Sequence, residues 1–130
     1  MMINTAKAYL AMIYTSWLSI IVLLFGGFDN LFRALLISML LDYATGLIKG
    51  YTRKNVNSRR AYKGIRKKLL ILIIVVAGTT MDTIVQGLGI RNVVLIFYTS
   101  IELLSVLENA AAFGLPIPKK LKAALEQLQK

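Results

Sequence analysis

Cysteine and histidine are absent from the chain, and proline occurs only twice. Without them there can be no disulfide, thiol nucleophile, His-containing zinc site or Ser-His-Asp triad. Acidic residues are scarce too, six against sixteen Lys and Arg, giving a formal net charge of +10. These gaps remove most enzyme classes, so neither catalytic residues nor cofactors nor metals are expected. They say nothing of the redox compartment.

What is abundant is apolar surface: 57% of the residues are hydrophobic, and the mean hydropathy is +0.66. A chain of 130 residues suits one compact unit, yet a soluble core of that size could not hide so much. The bilayer is the better solvent. Ala8 to Phe28 is twenty-one residues without a charge, enough to cross about 30 Å of hydrocarbon as a helix. No clean small-x-small cleavage signal follows it, so it reads as a span rather than a signal peptide. "GGFDN" (Gly26–Asn30) is a turn offering Asp29 or Asn30 as a helix cap. A second apolar run reaches Lys49, with Arg33 near its start and Asp42 inside it. A third starts at Leu69 and contains Asp82, "GLGIRN" (Gly87–Asn92) is a tight turn, and a fourth starts at Val93. The expected architecture is an all-α integral membrane protein with four transmembrane helices arranged as two hairpins. It forms one membrane domain, 1–130, with spans at about 8–27, 31–49, 69–88 and 93–113. The tail, 117–130, repeats Ile117, Leu121, Leu125 and Leu128 at helical spacing. That makes an amphipathic helix starting after Pro118, packed on the protein or lying along the membrane.

The segment 49–68 holds nine basic residues and no acid: Lys49, Arg53, Lys54, Arg59, Arg60, Lys63, Arg66, Lys67 and Lys68. It reads as a cytoplasmic loop between the second and third spans. With four spans, this loop, both termini and the basic tail share one side, which the positive-inside rule makes cytoplasmic. Only Tyr51 and Tyr62 are available there for stacking on bases, so anionic lipid is a better partner than nucleic acid.

Four acids fall inside the expected spans: Asp42, Asp82, Glu102 and Glu108. A carboxylate near a helix centre costs about 2.5 to 3.5 kcal/mol on insertion scales, so such groups face protein or water. Helical spacing gives them polar or small company. Ser38, Asp42, Thr45, Gly46 and Lys49 share one face; Gly78, Thr79, Asp82, Gln86 and Gly89 share another; Tyr98, Glu102, Ser105 and Asn109 form a third. Glu108 lies off that stripe, near a cytoplasmic boundary where a basic residue of the loop can meet it. The stripes either meet inside one bundle or line a lumen or subunit interface. A chain this small needs several copies to enclose any wide pore. An aspartyl protease pair of Asp42 and Asp82 lacks the Gly-rich signature that such chemistry carries.

Three stretches together resemble a known family: "DYATGLIKGYTRKN", "NSRRAYKGIRKK" and "ELLSVLENAAAFGLPIPKKLKAAL". They are similar to the phage-lysis and toxin-secretion holins, the group that includes clostridial toxin-release proteins. The last stretch is the most specific, with Glu102, Ser105, Glu108, Asn109, Gly114, Pro116, Pro118 and Leu121 in the family's order. In the middle stretch Ser58, Gly64 and Lys68 match, while Ala61 stands where Gly is common. The likeness runs from about Asp42 to Leu128. It implies a non-enzymatic protein that accumulates in the bacterial cytoplasmic membrane, assembles laterally as a homo-oligomer and opens lesions at a set time. An endolysin or a secreted toxin then escapes, with no direct contact necessary. The competing expectations are an oligomeric proton-coupled transporter or ion channel using Asp82 or Glu102, and a purely structural membrane subunit. Because Glu102 sits mid-helix and Arg91 in a turn, Glu102→Ala is expected to disturb function more than Arg91→Ala.

Overall fold

The computed structural model describes residues 2–54 and 57–129, and these are helical apart from turns. The helices are α1 (Met2–Phe25), α2 (Asn30–Thr52), α3 (Ser58–Ile84), α4 (Ile90–Ala111) and α5 (Lys119–Gln127). Their ends follow from local chemistry. Asp29 caps α2, its carboxylate accepting the Phe32 N–H at 3.0 Å. Asn57 caps α3 through the Arg59 N–H, also at 3.0 Å. Between α3 and α4, Gly87 and Gly89 take left-handed φ of 87° and 66°, which ends one helix and reverses the chain before the next. α5 begins directly after Pro118, as expected.

Two boundaries differ from expectation. The basic segment expected as a loop over 49–68 is largely helical. Lys49 lies in α2, whereas Arg59, Arg60, Lys63, Arg66, Lys67 and Lys68 lie in the first half of α3. Lys and Arg are good helix formers, and the Asn57 cap supplies a start that the charge pattern conceals. Arg53 and Lys54 occupy the intervening turn; Asn55 and Val56 of that segment, like Lys130 of the tail, lie outside the described residues. The third apolar run, expected to reach Leu88, stops being helical at Ile84.

α1, α2 and α4 are long and apolar enough to cross a membrane. α3 is the longest helix, but Lys67, Lys68 and Asp82 leave it thirteen uncharged residues, Leu69 to Met81, about 20 Å of rise. The core lies between α2, α3 and α4, where Phe32, Leu35, Met39, Ile71, Val75 and Leu95 are buried. α2 and α4 run parallel, since Asp29 meets Arg91 at one end and Lys49 meets Asn109 at the other. α3 runs opposite to both, with Lys68 beside Asp42 and Gly78 against Arg91. α1 leans on this core mainly through Ile21 and Phe25, the latter ring stacked on Phe32 at 4.8 Å. No residue of α1 is buried, so its large side chains need an apolar solvent. Its hydroxyls are suited to one: Thr15, Ser16 and Ser19 each donate to a carbonyl one turn back, at 2.8 to 2.9 Å. α5 folds onto α4 with Leu125 buried, while Leu121 and Leu128 stay exposed.

Candidate functional site

Two charged joints tie the helices together, about 21 Å apart along α3 if measured from Lys68 to Asp82. In the first, the Lys68 ammonium of α3 donates to Asp42 Oδ2 of α2 at 2.8 Å and to Glu102 Oε2 of α4. Glu102 is 1% exposed, and its other oxygen, Oε1, is buried with no hydrogen-bond partner among the described residues. On the next turns, Asn109 Nδ2 donates to Thr45 Oγ1 at 3.0 Å and to Asp42 Oδ1 at 3.3 Å. Lys49 Nζ reaches Asn109 Oδ1 at 3.5 Å, and Ser105 lines the same space. One ammonium thus holds carboxylates from two helices. Removing either sign would leave buried charge uncompensated.

The second joint gathers four helix ends around Arg91, which is 8% exposed. Its guanidinium grips Asp29 in a two-pronged pair, Nη1 to Oδ2 at 2.8 Å and Nη2 to Oδ1 at 3.0 Å. Nε donates to the Phe25 carbonyl at the end of α1, and Nη2 to that of Gly27 at 3.2 Å. These are carbonyls that a helix terminus leaves without partners. The Arg91 guanidinium holds the Asp29 carboxyl down at about 2. From α3, Asp82 accepts the Ile90 N–H at 2.8 Å and the Arg91 N–H at 2.9 Å. It therefore caps α4 from a neighbouring helix, where negative charge also complements the helix dipole. A Cβ at Gly26 would meet Arg91 Cδ and Nε at 2.8 Å, and φ there is +75°, so glycine is required twice over.

Residues 19–130 match the bacteriophage holin family. The chain belongs to that family. Among its relatives, an uncharacterised 14.9 kDa protein of Clostridium perfringens is 41% identical over 107 residues, covering 81% of each chain. An uncharacterised protein of Halalkalibacterium halodurans is 37% identical over 112 residues, 82% of this chain and 83% of its own. A probable holin of Bacillus phage phi105 is 34% identical over 85 residues, 65% of this chain and 63% of its own. No solved structure matches the chain. Holins are non-enzymatic, and with three apolar helices this family member is a membrane protein.

Within the holin framework, the expected residues fall into three groups. Asp42, Glu102, Ser105 and Asn109 come together around the first joint. Asp82 and Gln86 do not join them. Asp82 is spent on the α4 cap, while Gln86 lies past the end of α3 in an exposed turn. Glu108 is exposed, and among the described residues it forms no ion pair with the basic segment. Two roles were not anticipated. Lys68, expected as the last residue of the cytoplasmic basic loop, pairs with Asp42 and Glu102, and Arg91, expected in a turn, holds four helix ends. The first joint opens into a cavity of about 470 Å³ between α2, the start of α3 and the end of α4.

Proposed function

We propose that the chain is a holin in the full sense: it oligomerises in the host cytoplasmic membrane and opens lesions through which an endolysin or toxin leaves the cell. The observation that carries this reading is the family match together with a phage relative described as a probable holin. In the same reading the chain crosses four times as two hairpins, with both termini cytoplasmic. The parallel course of α2 and α4 supports it, because the chain must return along the bundle between them, and α3 makes that return. α3 is then the short span, with Lys67 at one end free to snorkel towards an interface, Lys68 turned inward onto Asp42 and Glu102, and Asp82 near the other end. The basic start of α3 and the lysines of α5 share the cytoplasmic end. Asp42, Lys68, Glu102 and Asn109 hold the resting bundle, and assembly of several copies rearranges their contacts. Induction beside an endolysin lacking a signal peptide should give abrupt lysis. Continued growth, with the protein present in the membrane fraction, would end the proposal.

A second reading keeps one specific support. The buried, unpartnered Glu102 Oε1 is what a proton-linked carboxylate in a small transporter or channel presents. Substrate-dependent proton flux in vesicles, abolished by Glu102→Gln, would favour it; release of folded proteins would exclude it.

A further inference from the structure

The cavity beside the first joint has a charge balance that its own residues do not close. Lys49, Arg53, Arg60 and Lys68 line it, and Asp42 is the one acidic residue among its walls. Asp42 is already paired with Lys68. Among the described residues, Lys49, Arg53 and Arg60 have no carboxylate partner at all. Three cations therefore line one concavity where α2 ends and α3 begins, Lys49 half-buried and Arg53 and Arg60 exposed at its mouth, and each repels the others. Asn57 and Asn109 add amide groups to the same wall. Such a set is built for a compact anion with several acceptor oxygens, since guanidinium groups match phosphate oxygens in pairs.

The surroundings narrow the source of that anion. Leu47 is part of the lining, and Ile48, Ile65 and Leu69 are exposed on the neighbouring turns of α2 and α3. A ligand seated here has its head among cations and its remaining length against apolar side chains. We propose that this cavity binds the phosphate headgroup of an anionic phospholipid, with Arg53 and Arg60 as its main ligands and Lys49 beside them. The inference rests on the chain being embedded in a membrane, but not on its forming lesions or on its orientation. It differs from a diffuse attraction between basic protein and acidic membrane because it assigns three of the nine basic residues and spares their neighbours. Arg59 and Lys63 have the same charge and lie on the same turns, yet neither lines the cavity.

The test uses the full chain purified in a neutral detergent, with phosphatidylglycerol or phosphatidylcholine added and retained lipid counted by native mass spectrometry. The parent should hold one phosphatidylglycerol about tenfold more tightly than phosphatidylcholine. The double variant Arg53→Gln/Arg60→Gln should lose that preference, whereas Arg59→Gln/Lys63→Gln, with the same change in net charge, should keep it within about twofold. Circular dichroism of both variants checks that the helices are intact. Equal loss in the two pairs would overturn the site in favour of general surface electrostatics. Displacement of the lipid by millimolar inorganic phosphate would overturn the lipid and assign the cavity to free phosphate. No preference in a parent that resists carbonate extraction would sink the inference alone, while a parent washed off membranes by carbonate would sink the membrane reading itself.

Discussion

The ammonium of Lys68 holds carboxylates from two helices, and that asymmetry makes its removal worse than the removal of either acid. Lys68→Met leaves Asp42 and Glu102 facing each other in a buried setting, and should destabilise the bundle by about 3 to 5 kcal/mol. Adding Glu102→Gln to that variant removes one of the stranded charges, so the double variant should recover part of the loss. Reversible unfolding in mixed micelles measures both; strict additivity of the two substitutions would mean the joint carries no coupling. Arg91 requires the opposite revision. It was expected to matter less than Glu102, yet it grips Asp29 and carbonyls from the end of α1. Arg91→Ala should therefore destabilise the fold about as much as Glu102→Ala, and lysis timing should shift in both. Acid exposes the same pair. Asp29 has its folded-state pKa depressed from 3.8 to about 2, so its contribution is present above pH 4 and is lost as pH falls through about 2. Amide exchange in the first turn of α2, followed from pH 5 to pH 2, should accelerate relative to mid-helix amides. Asp29→Asn should flatten that dependence.

Elements were legible in the sequence where periodicity spoke and obscure where charge did. The stripe of Asp42, Thr45 and Lys49 on α2, and that of Glu102, Ser105 and Asn109 on α4, were set by three- and four-residue spacing, and they do face each other. The same spacing misled on α3, because Gln86 continues the arithmetic of Asp82 after the backbone has left the helix at Ile84. The pairing of Lys68 was hidden for a related reason: eight other basic residues precede it from Lys49, and although the family likeness marks Lys68, spacing gives it no partner. Only the three-dimensional fold supplies one, a carboxylate from each flanking helix. Asp82 shows what an acid in an apolar helix can be doing other than lining a lumen. Both of its oxygens bind N–H groups of α4. Asp82→Ala should fray the first turn of that helix and cost about 1 to 2 kcal/mol, with faster exchange of the Ile90 and Arg91 amides. Unchanged protection at those two positions would deny the cap its role. The tail divides in the same manner, since Leu125 packs against the protein and leaves Leu121 and Leu128 exposed.

For the whole molecule, the direction of α3 is the observation that supports the proposed four-span topology. A three-span chain built from α1, α2 and α4 alone would cross with α2 and α4 antiparallel, whereas here they are parallel, with α3 alongside in reverse. The proposal thus makes a prediction about sidedness that needs no knowledge of lesions. Since the chain has no cysteine, each introduced thiol is the sole reporter. Leu88→Cys, in the turn before α4, should react with a membrane-impermeant maleimide on intact cells. Ser58→Cys, at the start of α3, and Lys122→Cys, in α5, should react only after permeabilisation. All three positions are exposed, so the contrast reads sidedness rather than burial. Labelling must precede any arrest of growth, because an open lesion would admit the reagent to every site. Should Ser58→Cys and Lys122→Cys label from opposite sides, α3 would not cross, and the parallel α2 and α4 would have to exchange partners before the chain inserts.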